Sequence, residues 1–146
     1  MRRTLVTAAV AISLTVGGLM VRRLNHSRGA PAADLPASAG VVQRVQAGDL
    51  QISLLSPTGS LRTGRNTFTF EFRRANALVD VGNLRASGNM TMPGMVMSSG
   101  MEVQASRVKG RYDASAQFGM AGAWQMSIES DGPAGKGGTS FEGAVQ

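Results

Sequence analysis

The sequence predicts an all-β domain, an immunoglobulin-like antiparallel sandwich of about seven strands, preceded by one N-terminal transmembrane or signal helix. Three observations carry this. Short alternations of apolar and polar residues recur from Val41 to the last residues, broken by Gly, Pro and Asn at intervals suited to a sandwich. No stretch of that region holds a helical period. Residues 4–21, by contrast, form an uncharged, mostly apolar run bracketed by Arg2-Arg3 and Arg22-Arg23.

That first run is borderline in length for crossing a bilayer. The first small-residue cleavage site, Ala30-Pro31-Ala32, lies beyond three further arginines, which favours an uncleaved anchor over 1–24 rather than a removed signal peptide. Arginines flank the run on both sides, so charge alone does not orient it. A short basic N-terminus ahead of an apolar segment is how export signals begin, and this places the domain outside. The expected location is the periplasmic face of the inner (cytoplasmic) membrane, single-pass anchored, or the periplasm after cleavage. Residues 25–40, rich in Ala, Pro, Ser and Gly and containing His26, read as a flexible linker.

The domain itself is expected over 41–146. Leu50, Ile52 and Leu54 alternate before the Ser56-Pro57 turn, and Phe68, Phe70 and Phe72 alternate with Thr67, Thr69 and Glu71, which should send the three rings into one core. Val81 to Met92 leads to the Pro93-Gly94 turn; Met101, Val103 and Ala105 follow, and Lys109-Gly110 marks a hairpin. Tyr112, Ala114, Ala116 and Phe118 share one face, then Trp124, Met126 and Ile128 another. The glycine-rich 132–138 stretch reads as a loop, and Phe141 to Val145 as the closing strand. Phe118 and Trp124 belong to the core.

Composition removes several functions. The net charge of +6 invites nucleic acid, but residues 1–33 hold five of the fifteen basic residues and none of the nine acids, so the remainder is nearly neutral. A phosphate-binding groove needs clustered cations and stacking aromatics, which this chain lacks. With no cysteine and a single histidine outside the domain, neither a thiolate nucleophile nor a Ser-His-Asp set can be assembled. Glu71, Asp80, Glu102 and Asp113 are expected on solvated faces. The chain is not expected to be an enzyme.

Methionine is the exception to this plain composition. Five of nine lie between Met90 and Met101, around a Pro-Gly turn. Flexible thioethers can fill an irregular core edge, or they can converge on a soft metal, for which copper(I) is the obvious candidate. Met90 and Met92 share one strand face, as do Met95 and Met97 beyond the turn, and the two pairs can meet across a hairpin.

Three motifs in order, Ser56-Pro57 with Gly64-Arg65-Asn66-Thr67-Phe68, then Met92-Pro93-Gly94-Met95-Val96-Met97, then Gly110-Arg111-Tyr112 leading to Phe118-Gly119-Met120-Ala121-Gly122-Ala123-Trp124, resemble the YtkA-like domains, relatives of the FixH proteins. The resemblance spans roughly residues 47–145. It implies an exported or membrane-anchored β-sandwich with a copper-related role, since FixH is tied to assembly of copper-containing cytochrome oxidase. Carried over residue by residue it covers Met92, Met95, Met97 and Met120; Met90 and Met101 are added from spacing. The expected function is therefore a membrane-tethered copper(I)-binding domain that delivers copper to an acceptor or assists assembly of a membrane-complex protein. The alternative is a metal-free protein-interaction module whose Met-rich edge is an adaptable apolar surface. For Met120 the competing role is packing beneath Trp124.

Overall fold

The computed structural model describes residues 39–133 and 135–146; the expected anchor and nearly all of the linker lie outside them. The described residues are all-β and antiparallel, with no helix. Nine strands form rather than seven: β1 (Gly40–Ala47), β2 (Leu50–Ser56), β3 (Gly64–Arg74), β4 (Ala77–Leu78), β5 (Asn83–Met92), β6 (Met95–Ala105), β7 (Arg111–Phe118), β8 (Gly122–Gly132) and β9 (Gly135–Val145). They make one sheet in the order β1-β2-β3-β7-β6-β5-β8-β9, with the short β4 added to β3. The sheet rolls up until it is nearly a barrel.

Alternation decides which side chains enter the interior. Along β7, Tyr112, Ala114, Ala116 and Phe118 are buried while Asp113 and Gln117 are exposed; along β8, Trp124, Met126 and Ile128 are buried. The three phenylalanines of β3 are buried as their spacing requires, with Phe68 and Phe70 edge to face at 5.4 Å and Phe72 against Tyr112 at 5.5 Å. Such pairs add roughly 0.5–1.5 kcal/mol each beyond burial.

The glycine-rich stretch is not a loop. β8 runs to Gly132 and β9 starts at Gly135, the two paired from Gly132↔Gly135 to Gly122↔Val145. Backbone hydrogen bonds alone make a strand there, and glycine contributes no side-chain pattern that would announce it.

Glu71 is also placed differently from expectation. It is buried on the outward side of β3, where Arg73 Nε donates to Oε1 at 2.5 Å and Arg111 Nε to Oε2 at 2.8 Å. Burial pushes its carboxyl up, but the hydrogen bonds and charges of the two guanidiniums outweigh this and hold it below the ordinary carboxylate value. Asp80, Glu102 and Asp113 are exposed as expected. Asp80 Oδ1 accepts from Gly82 N–H and from the Tyr112 hydroxyl, which together hold its carboxyl low. That hydroxyl also accepts from Val81 N–H at 3.1 Å, tying the segment that leads into β5 to β7.

The β3–β4 turn contains a mismatch. Ala75 and Asn76 both have positive φ, 46° and 67°, as a two-residue type I′ turn demands. Asparagine tolerates this region and alanine does not. Ala75→Gly is therefore expected to raise the melting temperature by a few degrees, worth up to about 1 kcal/mol. A lower melting temperature would show that the turn is not strained.

Closure of the sheet is uneven. At one end Leu61 bridges Val145 in parallel; Gln146 N–H donates to Leu61 O at 2.8 Å and Thr63 N–H to Gln146 O at 2.7 Å. Toward the other end β1 and β9 do not pair, and a cleft of about 250 Å³ opens between them, lined by Leu50, Ile52, Phe72 and Ile128.

Candidate functional site

The Pro93-Gly94 turn fixes how the thioethers of the hairpin meet. Proline presets φ at the first turn position and Gly94 takes φ 77° at the second, the pattern of a type II turn. β5 and β6 consequently pair with Met92 opposite Met95 and Met90 opposite Met97. Directly opposed side chains have Cβ atoms about 4.5–5.5 Å apart and lie on one face. Here that face is the inner one, since Met90 is buried at 6% exposure, Met92 and Met97 are half-buried, and only Met95 at the tip is exposed.

A second segment comes to the same place. β5 pairs with β8 and β6 with β7, so the connection from Phe118 to Gly122 crosses the same end of the rolled sheet as the hairpin tip. Two glycines flank Met120 in that connection, and each makes room for a thioether. The methyl of Met97 lies 2.6 Å from where a Cβ on Gly119 would stand, and the methyl of Met90 occupies the place of one on Gly122. A Cβ at either position would require the methionine methyl to shift.

The connection is pinned by Trp124. Its indole Nε1–H donates to the carbonyl oxygen of Met120 at 3.1 Å, while its ring packs against Phe118 at 5.0 Å in the fully buried core. Met120 itself is half-buried. Its side chain packs against the core cluster that contains Trp124, and its carbonyl is held by the indole.

The six candidate methionines thus separate by position. Met90, Met92, Met95 and Met97 come together on the hairpin, and the Met120 turn faces Met90 and Met97. Met101, opposite Ala86, sits deeper; its methyl lies 3.3 Å from the position of a Cβ on Gly88, a position also bordered by Phe118 and Trp124. Met126, not among the candidates, is wholly buried with its methyl against Gly143. Among the described residues no group of three or more His, Cys, Asp or Glu stands close enough to hold a metal ion. Thioether sulfurs are what the hairpin and the Met120 turn gather at this end of the sheet.

The sequence profile of the YtkA-like family matches residues 44–129, more than half of the chain. The chain belongs to the YtkA-like family. The match covers the hairpin, the Met120 turn and Trp124 of this YtkA-like domain. No curated protein matches it. Among solved structures it is similar to FetP of uropathogenic E. coli strain F11, at 10% identity and a TM-score of 0.42, over 73% of this chain and 93% of that one. At that distance the likeness carries no argument.

Proposed function

We propose that this YtkA-like domain is a membrane-tethered copper(I)-binding domain of the periplasm that passes the ion to an acceptor or assists assembly of a partner. The observation supporting this is the meeting of two separate methionine-bearing segments at one end of the sheet. Met90, Met92, Met95 and Met97 would supply sulfur from the hairpin and Met120 from the turn beneath. Met101 serves mainly to pack the ring pair. Thioethers are soft, uncharged donors, which suits the reduced ion and leaves the bound charge uncompensated. Hold is therefore moderate and release to a better acceptor easy, as delivery requires. The same reading takes the rolled sheet as an immunoglobulin-like sandwich, with β1, β2, β3 and β7 in one layer and β5, β6, β8 and β9 in the other.

The exposed tip favours a second reading, a metal-free interaction module of a membrane complex, because Met95 and Val96 stand in solvent. One experiment separates the two. Copper(I) is titrated into the chain under reducing conditions against a competing chelator, with copper(II) as control and with Met90, Met97 and Met120 changed to leucine in parallel. Stoichiometric copper(I) binding is expected in the native chain and its loss in the folded triple variant. Failure of the native chain to compete even with a weak chelator would end the copper reading. Leucine keeps the apolar area, so binding of a protein partner would survive the same substitutions.

A further inference from the structure

We infer that the free edge of β9 binds an extended polypeptide segment of a partner protein, apolar at every second residue, which adds a strand beside it. This needs neither the thioethers nor a metal. The N–H and carbonyl of one strand residue point to the same side, and those of the next residue to the other. Gln146 turns both away from β8, since its N–H donates to Leu61 O at 2.8 Å and its carbonyl accepts from Thr63 N–H at 2.7 Å. The β8–β9 register runs without a shift, so Glu142, Ser140, Gly138 and Lys136 turn their backbone groups the same way. Along that part of β9 no backbone partner other than β8 stands among the described residues. Nor is the edge blunted in the usual ways. It has no proline and no bulge, three of its first four residues are glycine, and Lys136 reaches back to Asp131 at 3.6 Å. β1, by contrast, carries a bulge between Val41 and Gln43 and an exposed Arg44.

The fold itself shows what fits there. At the Val145 end of β9 the chain's own 61–63 segment occupies this edge, parallel to β9 at the Leu61–Val145 bridge, with the Leu61 side chain fully buried. The same loop borders β1, because a Cβ on Gly40 would stand 2.8 Å from Gly59 Cα. Toward Lys136 that place is taken by the cleft of about 250 Å³, which Leu50, Ile52, Phe72 and Ile128 line. A strand continuing the line of 61–63 satisfies the backbone groups of β9 and turns alternate side chains onto those four residues. A strand between two edges sets them about 10 Å apart, and β1, bonded only to β2, loses no hydrogen bond in giving that room. A small apolar molecule would cover the same residues and leave the edge unpaired.

The test uses the full chain, metal-free, in detergent micelles, with amide hydrogen exchange read residue by residue. The probe is the capped peptide Lys-Thr-Leu-Thr-Leu-Thr-Leu-Lys; its control is the same peptide N-methylated at the leucines, which stand where Leu61 and Thr63 turn their backbone groups to β9. In the free chain the amides of Gly138, Ser140 and Glu142 are expected to exchange fast and those of Thr139 and Phe141, which face β8, slowly. The peptide should slow the first three and leave the other two unchanged, and the N-methylated control should slow none. Gly138→Pro removes one outward N–H and no bond to β8, a place where an edge strand tolerates proline, and should weaken peptide binding about fivefold; circular dichroism checks its fold. The N-methylated control decides the matter on the native chain should that variant not fold. Slow exchange at the three amides in the free chain that persists on dilution would mean that the edge is already paired, and slow exchange lost on dilution would give it to a second copy. Equal protection by both peptides would reduce the cleft to an apolar hole. Each of these, like the absence of any protection, would overturn the inference.

Discussion

Trp124→Ala is expected to cost about 3–5 kcal/mol of stability, a large share of the 5–15 kcal/mol that holds a domain of this size. The indole is 1% exposed, stacks edge-on to Phe118, and carries the hydrogen bond that holds the Met120 carbonyl. Truncation opens a cavity in the core at the methionine-bearing end and releases the turn that bears the thioether. Trp124→Phe separates these effects. It keeps much of the volume and loses the N–H, so a smaller cost of about 1–2 kcal/mol is expected, together with faster hydrogen exchange at 119–122 while the core strands stay protected. Denaturant unfolding followed by far-ultraviolet circular dichroism measures both. A loss below about 1 kcal/mol for the alanine variant would mean that the core closes over the vacancy and that the turn is held by something else.

The second large effect belongs to Glu71. Glu71→Gln is expected to cost about 1–3 kcal/mol at neutral pH, because a half-exposed pair of guanidiniums loses the charge that both face. The acid dependence follows with a definite sign. The folded-state pKa lies below the ordinary 4.5, so the unfolded chain takes up the proton first as pH falls. The contribution is complete above about 4.5 and is lost as pH drops through the lower folded value. Asp80, held low by Gly82 and Tyr112, adds to the same slope. Melting temperatures at about pH 7 and about pH 3.5 should fall farther for the native chain than for Glu71→Gln. Equal losses would remove Glu71 from the acid response.

Local pattern and distant contact explain what could be read from the sequence. Phe68, Phe70 and Phe72 announce an inward face, and Tyr112 to Phe118 and Trp124 to Ile128 do the same, because period-two alternation is a property of a few consecutive residues. That the Met90/Met92 and Met95/Met97 pairs could meet across a hairpin was legible for the same reason; the register, Met92 opposite Met95 and Met90 opposite Met97, is what the structure adds. Glu71 was misplaced because its burial depends on Arg111, forty positions away, which no short window contains. Phe141 to Val145 was legible as the closing strand, but the first part of β9 was hidden because its residues are mostly glycines whose only contribution is backbone. The approach of the Met120 turn to Met90 and Met97 depended on β5 pairing with β8 and β6 with β7, while its cause, side-chain-free Gly119 and Gly122, was present in the sequence without any periodic signal.

The seam sets an order on folding. Thr63 and Gln146, which help to close the sheet, are 83 positions apart, and joining such distant residues is a slow step whose loop entropy is lost before any contact rewards it. The hairpin pairs near neighbours in the chain, and the β5–β8 pairing that brings up the Met120 turn joins residues 36 (Asn89↔Gln125) to 48 (Asn83↔Asp131) positions apart, still a shorter closure than the seam. The thioether end is thus expected to assemble early and the seam last. A chain not yet sealed would already present its sulfurs, while the edges of β1 and β9 were still open to other strands.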